Sequence, residues 1–181
     1  MSVAILTTGS DEAFAEPRSD YVFVKMERDC PVIQADFYQG RACTGMGGYD
    51  VVYNDDKHGY LVFVPSGQSA GYLQTRDRYQ EIQGGSFAIM FKNAEDISAI
   101  EFRGSGTGTN WTPYAAIVRM SEFRDQNYDH NALHIVKLSP DRTCPIASVG
   151  GDISGHNEIA RRIADEHAMT WNCDVDRLFQ Y

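Results

Sequence analysis

The sequence predicts an α+β fold: a mainly antiparallel β-sheet, as a sandwich or an open barrel, with one long C-terminal helix packed on it. Three observations carry this expectation. Short β-type runs parted by turn residues recur from Tyr21 to Val149, and only between Asn157 and Trp171 does the apolar period change to three and four. Four cysteines fall as one pair near each end of the chain.

The first run is Tyr21-Val22-Phe23-Val24-Lys25-Met26, stopped by Asp29-Cys30-Pro31. Arg41 to Gly45 precedes a Gly47-Gly48 turn, and Tyr49 to Tyr53 follows it. Asn54-Asp55-Asp56 is a turn cluster before Tyr60 to Val64, which stops at Pro65, so these two runs read as a hairpin. Residues 66–85 are polar and Gly-rich, with a short helical turn expected around Thr75 to Glu81. Strands resume at Phe87 to Phe91 and at Ile97 to Arg103. Gly104 to Asn110 reads as a hairpin connection, and Tyr114 to Met120 beyond it is the strongest β-run. Leu133 to Leu138 and Pro145 to Val149 complete a set of about eight or nine strands.

The helix is legible from Ile159, Ala160, Ile163, Ala164, Ala168 and Trp171, which fall on one face. Ser154 or Gly155 can cap its start, and Glu158 in the first turn complements the macrodipole. Glu158–Arg162 and Arg161–Asp165 are i,i+4 pairs worth about 0.3 kcal/mol each. Arg161 and Asp165 also flank the apolar stripe. They read as an ion pair fixing the helix register, in preference to the walls of a polar pocket.

A chain of 181 residues is read as one domain, residues 19–181, after a poorly packed segment of residues 1–18. Its 16 Lys and Arg against 25 Asp and Glu leave a net charge of −9, with no basic cluster. Such a surface repels phosphate backbones, which excludes nucleic acid and anionic membrane as partners. No apolar run approaches the roughly 20 residues of a membrane helix, so no membrane insertion is expected.

Cys30, Cys43, Cys144 and Cys173 form no C-x-x-C pair, which argues against zinc ribbons and thioredoxin-type sites. An even number fits two disulfides and a periplasmic or secreted protein. Of three connectivities, Cys30–Cys43 and Cys144–Cys173 are favoured because each closes a local loop. Each bond should stabilise by about 3 kcal/mol through loop entropy. Ala13-Phe14-Ala15 has the small-x-small form of a signal-peptidase site, though only Val3 to Leu6 is apolar before it, so it is either the remnant of a longer signal or a chance match.

Few residues are arranged for chemistry. His156 and His167 return to one helical face but stand about 16 Å apart along the axis, too far to share an ion. No metal or cofactor site is therefore expected. Gly104-Ser105-Gly106 leads into a strand, so it is neither a nucleophile elbow nor a phosphate loop. His58, His130 and His134 are scattered through strands and turns. Trp111 and Tyr114, at the base of the glycine-rich connection, are the candidate binding residues.

Several segments share an order: Cys43-Thr44-Gly45 with Gly48-Tyr49, Ile100-Glu101-Phe102-Arg103, and Trp111-Thr112-Pro113-Tyr114 running on to Arg119. Cys144-Pro145-Ile146-Ala147-Ser148-Val149, then Asn157 to Asp165, then Cys173 complete it. In this order the chain resembles a family of small uncharacterised exported proteins of proteobacteria, from about Tyr21 to Cys173. The resemblance implies export and the same fold, and no activity. The expected function is a non-catalytic exported domain that binds a protein or glycan in the cell envelope. The alternative is a small hydrolase assembling His134 or His156 with Asp165.

Overall fold

The computed structural model describes residues 16–35, 38–54, 60–69, 89–90, 99–124, 127–177 and 179–180. Within them the chain runs β1 (Arg18–Val22), α1 (Met26–Asp29), β2 (Val32–Ala35), β3 (Tyr38–Thr44), β4 (Tyr49–Asn54), β5 (Tyr60–Pro65) and β6 (Ile89–Met90). It continues with β7 (Ile100–Ser105), β8 (Thr112–Arg124), β9 (Asn127–Lys137), β10 (Cys144–Gly150), α2 (His156–His167) and β11 (Phe179–Gln180). Six strands form one sheet in the order β1-β7-β8-β9-β10-β11, and five form a second in the order β2-β3-β4-β5-β6. All pairs are antiparallel except β10–β11. The two sheets remain separate and do not close into a barrel.

Alternation along each strand builds three layers, because successive side chains leave a strand on opposite faces. On β7, Ile100 and Phe102 face the five-stranded sheet and join Val51, Leu61, Phe63, Val118 and Met120 in one core. The Phe63 and Phe102 rings meet edge to face with centroids 5.9 Å apart. The opposite face presents Ile117, Leu133, Ile135 and Ile146 to Ala160, Ile163 and Ala164 of α2, with Trp171 beyond the helix. Each large apolar side chain so buried stabilises by roughly 1.5–3 kcal/mol.

The expected hairpin is β4–β5, paired from Tyr49↔Pro65 to Asn54↔Tyr60. The expected helix is α2, and both disulfides are those expected. Cys30 and Cys43 lie 4.5 Å apart at Cα, tying the end of α1 to β3. Cys144 and Cys173 lie 5.9 Å apart at Cα, tying the start of β10 to the segment after α2.

Other elements differ from the expectation, each for a physical reason. The first strand starts at Arg18 and stops at Val22, because its polar residues pair in the ladder with β7. Met26 belongs to a short helical turn whose entry is held by Asp29, a carboxylate that accepts from the Lys25 amide at 2.9 Å. Strands β2 and β11, at four and two residues, are too short to show a period. Gly104 and Ser105 belong to β7, and the connection to β8 holds a 3-10 turn over Gly108–Asn110. Helix α2 stops at His167, although the Trp171 amide still donates to the His167 carbonyl at 2.9 Å. The segment 1–15 and the helical turn at Thr75 to Glu81 lie outside the described residues, as does most of the run Phe87 to Phe91. No helix among the described residues is long and apolar enough to cross a membrane.

Candidate functional site: a tyrosine–proline groove beside a buried ion network

A groove of about 420 Å³ opens where strand ends of both sheets meet the segment after α2. Its floor and walls include Tyr49, Pro113, Tyr114, Lys137, Leu138 and Met169. Backbone bonds fix these pieces. The Ser66 amide donates to Gly48 O at 2.8 Å, holding the β3–β4 turn against the end of β5. The Leu138 amide donates to Tyr114 O at 2.8 Å, extending the β8–β9 ladder into the groove wall. Gly47 is required at the rim: its φ is +62°, and a Cβ there would lie 2.2 Å from Pro113 Cδ.

Tyr114 reaches both the groove and the helix because β8 bulges there. Arg103 pairs with Ala115 while the next residue, Gly104, pairs with Pro113, leaving Tyr114 as the extra residue. A bulge re-aims side chains, and here it turns both Tyr114 and Ala115 toward the helix layer. Tyr114 is 8% exposed and donates its hydroxyl proton to Asp165 Oδ1 at 2.6 Å. Burial raises the Tyr114 pKa, and the hydrogen bond and charge of Asp165 raise it further against the opposing Arg103 charge. Burial, then the charge of Asp141, likewise raises that of Tyr49. Both phenols therefore stay protonated at neutral pH.

Behind Tyr114 runs a charged network between α2 and the sheet. Arg103 grips Asp165 with two bonds, Nε to Oδ1 at 2.9 Å and Nη2 to Oδ2 at 2.5 Å. Arg161 grips Glu101 likewise, at 2.7 and 3.2 Å. Ser19 bridges the two pairs, accepting from Arg103 at 2.8 Å and donating to Glu101. Arg161 also reaches the Tyr21 hydroxyl at 3.0 Å. Glu101 and Arg103 are 9% and 8% exposed, so these charges are nearly out of water. The Glu101 hydrogen bond raises the Arg161 pKa. For Arg103, burial opposes the charge and the Asp165 carboxylate more than offsets it. The expected ion pair does fix the helix, but its partners are across the layer: Arg161 with Glu101 and Asp165 with Arg103, in place of Arg161 with Asp165.

The remaining candidates lie elsewhere. Trp111 packs on Gly104, where a Cβ would lie 2.5 Å from its Cε2, and Arg18 stands 5.4 Å above its ring. It is not among the residues lining the groove. The His156 ring meets Ile153 O at 2.9 Å through Nδ1 and Arg119 at 2.8 Å through Nε2. The carbonyl requires the proton on Nδ1, so Nε2 accepts from the guanidinium. His167 sits at the other end of α2, 4.9 Å from the Phe179 ring centroid. His134 is buried in β9, and His58 lies outside the described residues. Asp165 spends both oxygens on Arg103 and Tyr114, so it is not poised beside a histidine. Among the described residues no three His, Cys, Asp or Glu side chains converge to hold a metal ion.

The groove residues Tyr49, Pro65, Lys137 and Met169 escaped the sequence reading because four separate segments supply them. Their only local signal is proline at the ends of β-runs, as at Pro65 and Pro113. No known family, characterised protein or solved structure matches the chain.

Proposed function

We propose that this chain is a non-catalytic exported domain, allied to the small uncharacterised exported proteins of proteobacteria, that binds a segment of another protein of the cell envelope in the Tyr49–Tyr114 groove. The observation that carries this reading is the groove's chemistry. Its size suits a ligand, and its walls are aromatic, proline and aliphatic. None of the described lining residues is Asp, Glu, Asn or Gln. A glycan presents many hydroxyl donors, and among the lining side chains only hydroxyls, as at Thr112 and Ser139, could receive them. An apolar peptide segment makes no such demand. Two disulfides support life in an oxidising compartment.

Amide chemical shifts of the intact labelled protein test the reading. Apolar peptides should move Gly47, Gly48, Leu138 and Ser139, and cell-wall oligosaccharides should leave them still. The reverse pattern would return the function to glycan binding. Met169→Asp, at a side chain 66% exposed, should abolish the peptide response without unfolding the protein. Export is checked separately, by blocking thiols at cell lysis. All four cysteines should already be unreactive.

A further inference from the structure

We propose that the outer edge of β10 is a second binding site, separate from the Tyr49–Tyr114 groove, whose ligand is an extended partner segment anchored by one aromatic side chain. In the free protein the chain's own Phe179–Gln180 fills this edge and leaves when the partner enters. β10 runs for seven residues and pairs with β9 from Cys144 to Gly150. On its other side, among the described residues, it pairs at two positions only, Ala147↔Phe179 and Ser148↔Gln180. Val149 and Gly150 have no strand partner there among those residues. Backbone groups along such an edge are what an added strand bonds to.

The seated segment shows what the site selects. Phe179 stands opposite Ala147, whose small side chain faces the helix layer. Its ring centroid lies 4.9 Å from that of His167 and 5.2 Å from that of Trp171, so an aromatic notch flanks the strand. An aromatic opposite Ala147 is thus the anchor, and main-chain bonds to β10 align the rest of the ligand. The resident closure is light. Two rungs hold it, Phe179 is only half-buried, and Asp174, Val175, Asp176 and Arg177 leading to it are exposed. The Cys144–Cys173 bond fixes the chain just upstream, so Phe179 can leave without carrying α2 or Met169 with it. Between Cys173 and Phe179 the chain also folds into a turn, where Asp176 accepts from the Asn172 amide at 2.6 Å. That turn keeps residues 174–176 out of the ladder, so a partner lying extended along β10 makes more rungs than the chain's own segment. The short tether holds Phe179 at an effective concentration of about millimolar, which favours its own β10 over that of a second copy.

Phe179→Ala in the intact labelled protein opens the notch, and acetyl-Asp-Arg-Leu-Phe-Gln-Tyr-amide, the sequence of residues 176–181, is the probe. It should shift the amides of Ala147 to Gly150, His167 and Trp171, and leave Gly47 and Gly48 still. The parent should bind the probe about tenfold more weakly, since its own Phe179 competes. Alanine for phenylalanine in the probe should also weaken binding about tenfold. Equal binding by parent and variant removes the resident competitor, and equal binding of the two peptides removes the aromatic anchor; either result overturns the proposal. So does a folded variant whose β10 amides ignore the probe, or a parent dimer that Phe179→Ala dissolves, which makes a second copy the occupant. Shifts confined to Gly47, Gly48, Leu138 and Ser139 overturn it too, while leaving the groove reading intact. Should Phe179→Ala fail to fold, the parent decides: at about millimolar probe its β10 amides must shift with phenylalanine and not with alanine.

Discussion

The two faces of β7 are both buried, and in opposite ways. Toward the five-stranded sheet, β7 sends Ile100 and Phe102 into an apolar layer. Toward the helix it sends Glu101 and Arg103, both nearly inaccessible, to meet Arg161 and Asp165. The apolar face gains from every Å² removed from water and tolerates small displacements. The charged face nearly breaks even, because desolvation offsets most of the attraction, but it accepts only one position of the helix. On β7, stability comes from the first face and placement of the helix from the second. Since Asp165 also holds Tyr114, helix placement and the shape of the groove are one problem.

The sharpest way to break this comparison is to cut each face once. Phe102→Ala should cost about 3–5 kcal/mol in denaturant melts, as a cavity in a closed core. Arg103→Ala should cost about 3 kcal/mol, because it takes from the Asp165 carboxylate its guanidinium partner and opens a gap against the sheet. The triple variant Arg103→Met, Asp165→Leu and Tyr114→Phe, which also removes the hydroxyl that Asp165 holds, should recover most of that loss. Hydrogen exchange in α2 should nevertheless rise, since the device that places the helix is gone. Full protection in the triple variant would refute the division of labour.

Within the helix layer, Ile163→Ala should cost about 2–4 kcal/mol, since Ile163 is buried against the sheet. Tyr114→Phe should cost about 1.5–3 kcal/mol, the worth of a hydrogen bond to a charged group. It should also change the response to alkali. The folded protein keeps the Tyr114 proton that an unfolded chain gives up above about pH 10. That contribution is intact below this pH and is lost as pH rises toward the folded value. Melts at pH 9 and pH 11 should therefore differ less in Tyr114→Phe than in the parent. Arg162→Ala, on the exposed face, should cost under about 0.5 kcal/mol. If it matched Ile163→Ala, the helix would not pack on the sheet as described.

What the sequence reveals follows from how local each signal is. The α2 face needs only one segment to be read, and Ala160, Ile163, Ala164, Ala168 and Trp171 are all buried as their spacing implies. The β4–β5 hairpin is equally local. The ion network is not: Arg161 and Asp165 read as partners because they are i and i+4 on one helix. Four residues of helix rise about 6 Å, and two residues of strand rise about 6.6 Å. Glu101 and Arg103, two apart on β7, therefore match them rung for rung across the layer. A Glu-x-Arg in an apolar strand, facing an Arg-x-x-x-Asp on the long C-terminal helix, is the signal that was available. The bulge at Tyr114 left none, because nothing in Thr112-Pro113-Tyr114-Ala115 marks which residue the ladder skips.

The Cys144–Cys173 bond has a mechanical consequence. Tension applied beyond Cys173 passes through the sulfurs into Cys144 at the head of β10, a strand bonded to neighbours on both sides. The intervening loop, which contains α2, Met169 and the Trp171 carbonyl that holds Lys137, lies outside that load path. A tug on the tail must thus first part β11 from β10 and then bears, through the sulfurs, on the start of β10, while the groove wall between the two cysteines stays slack.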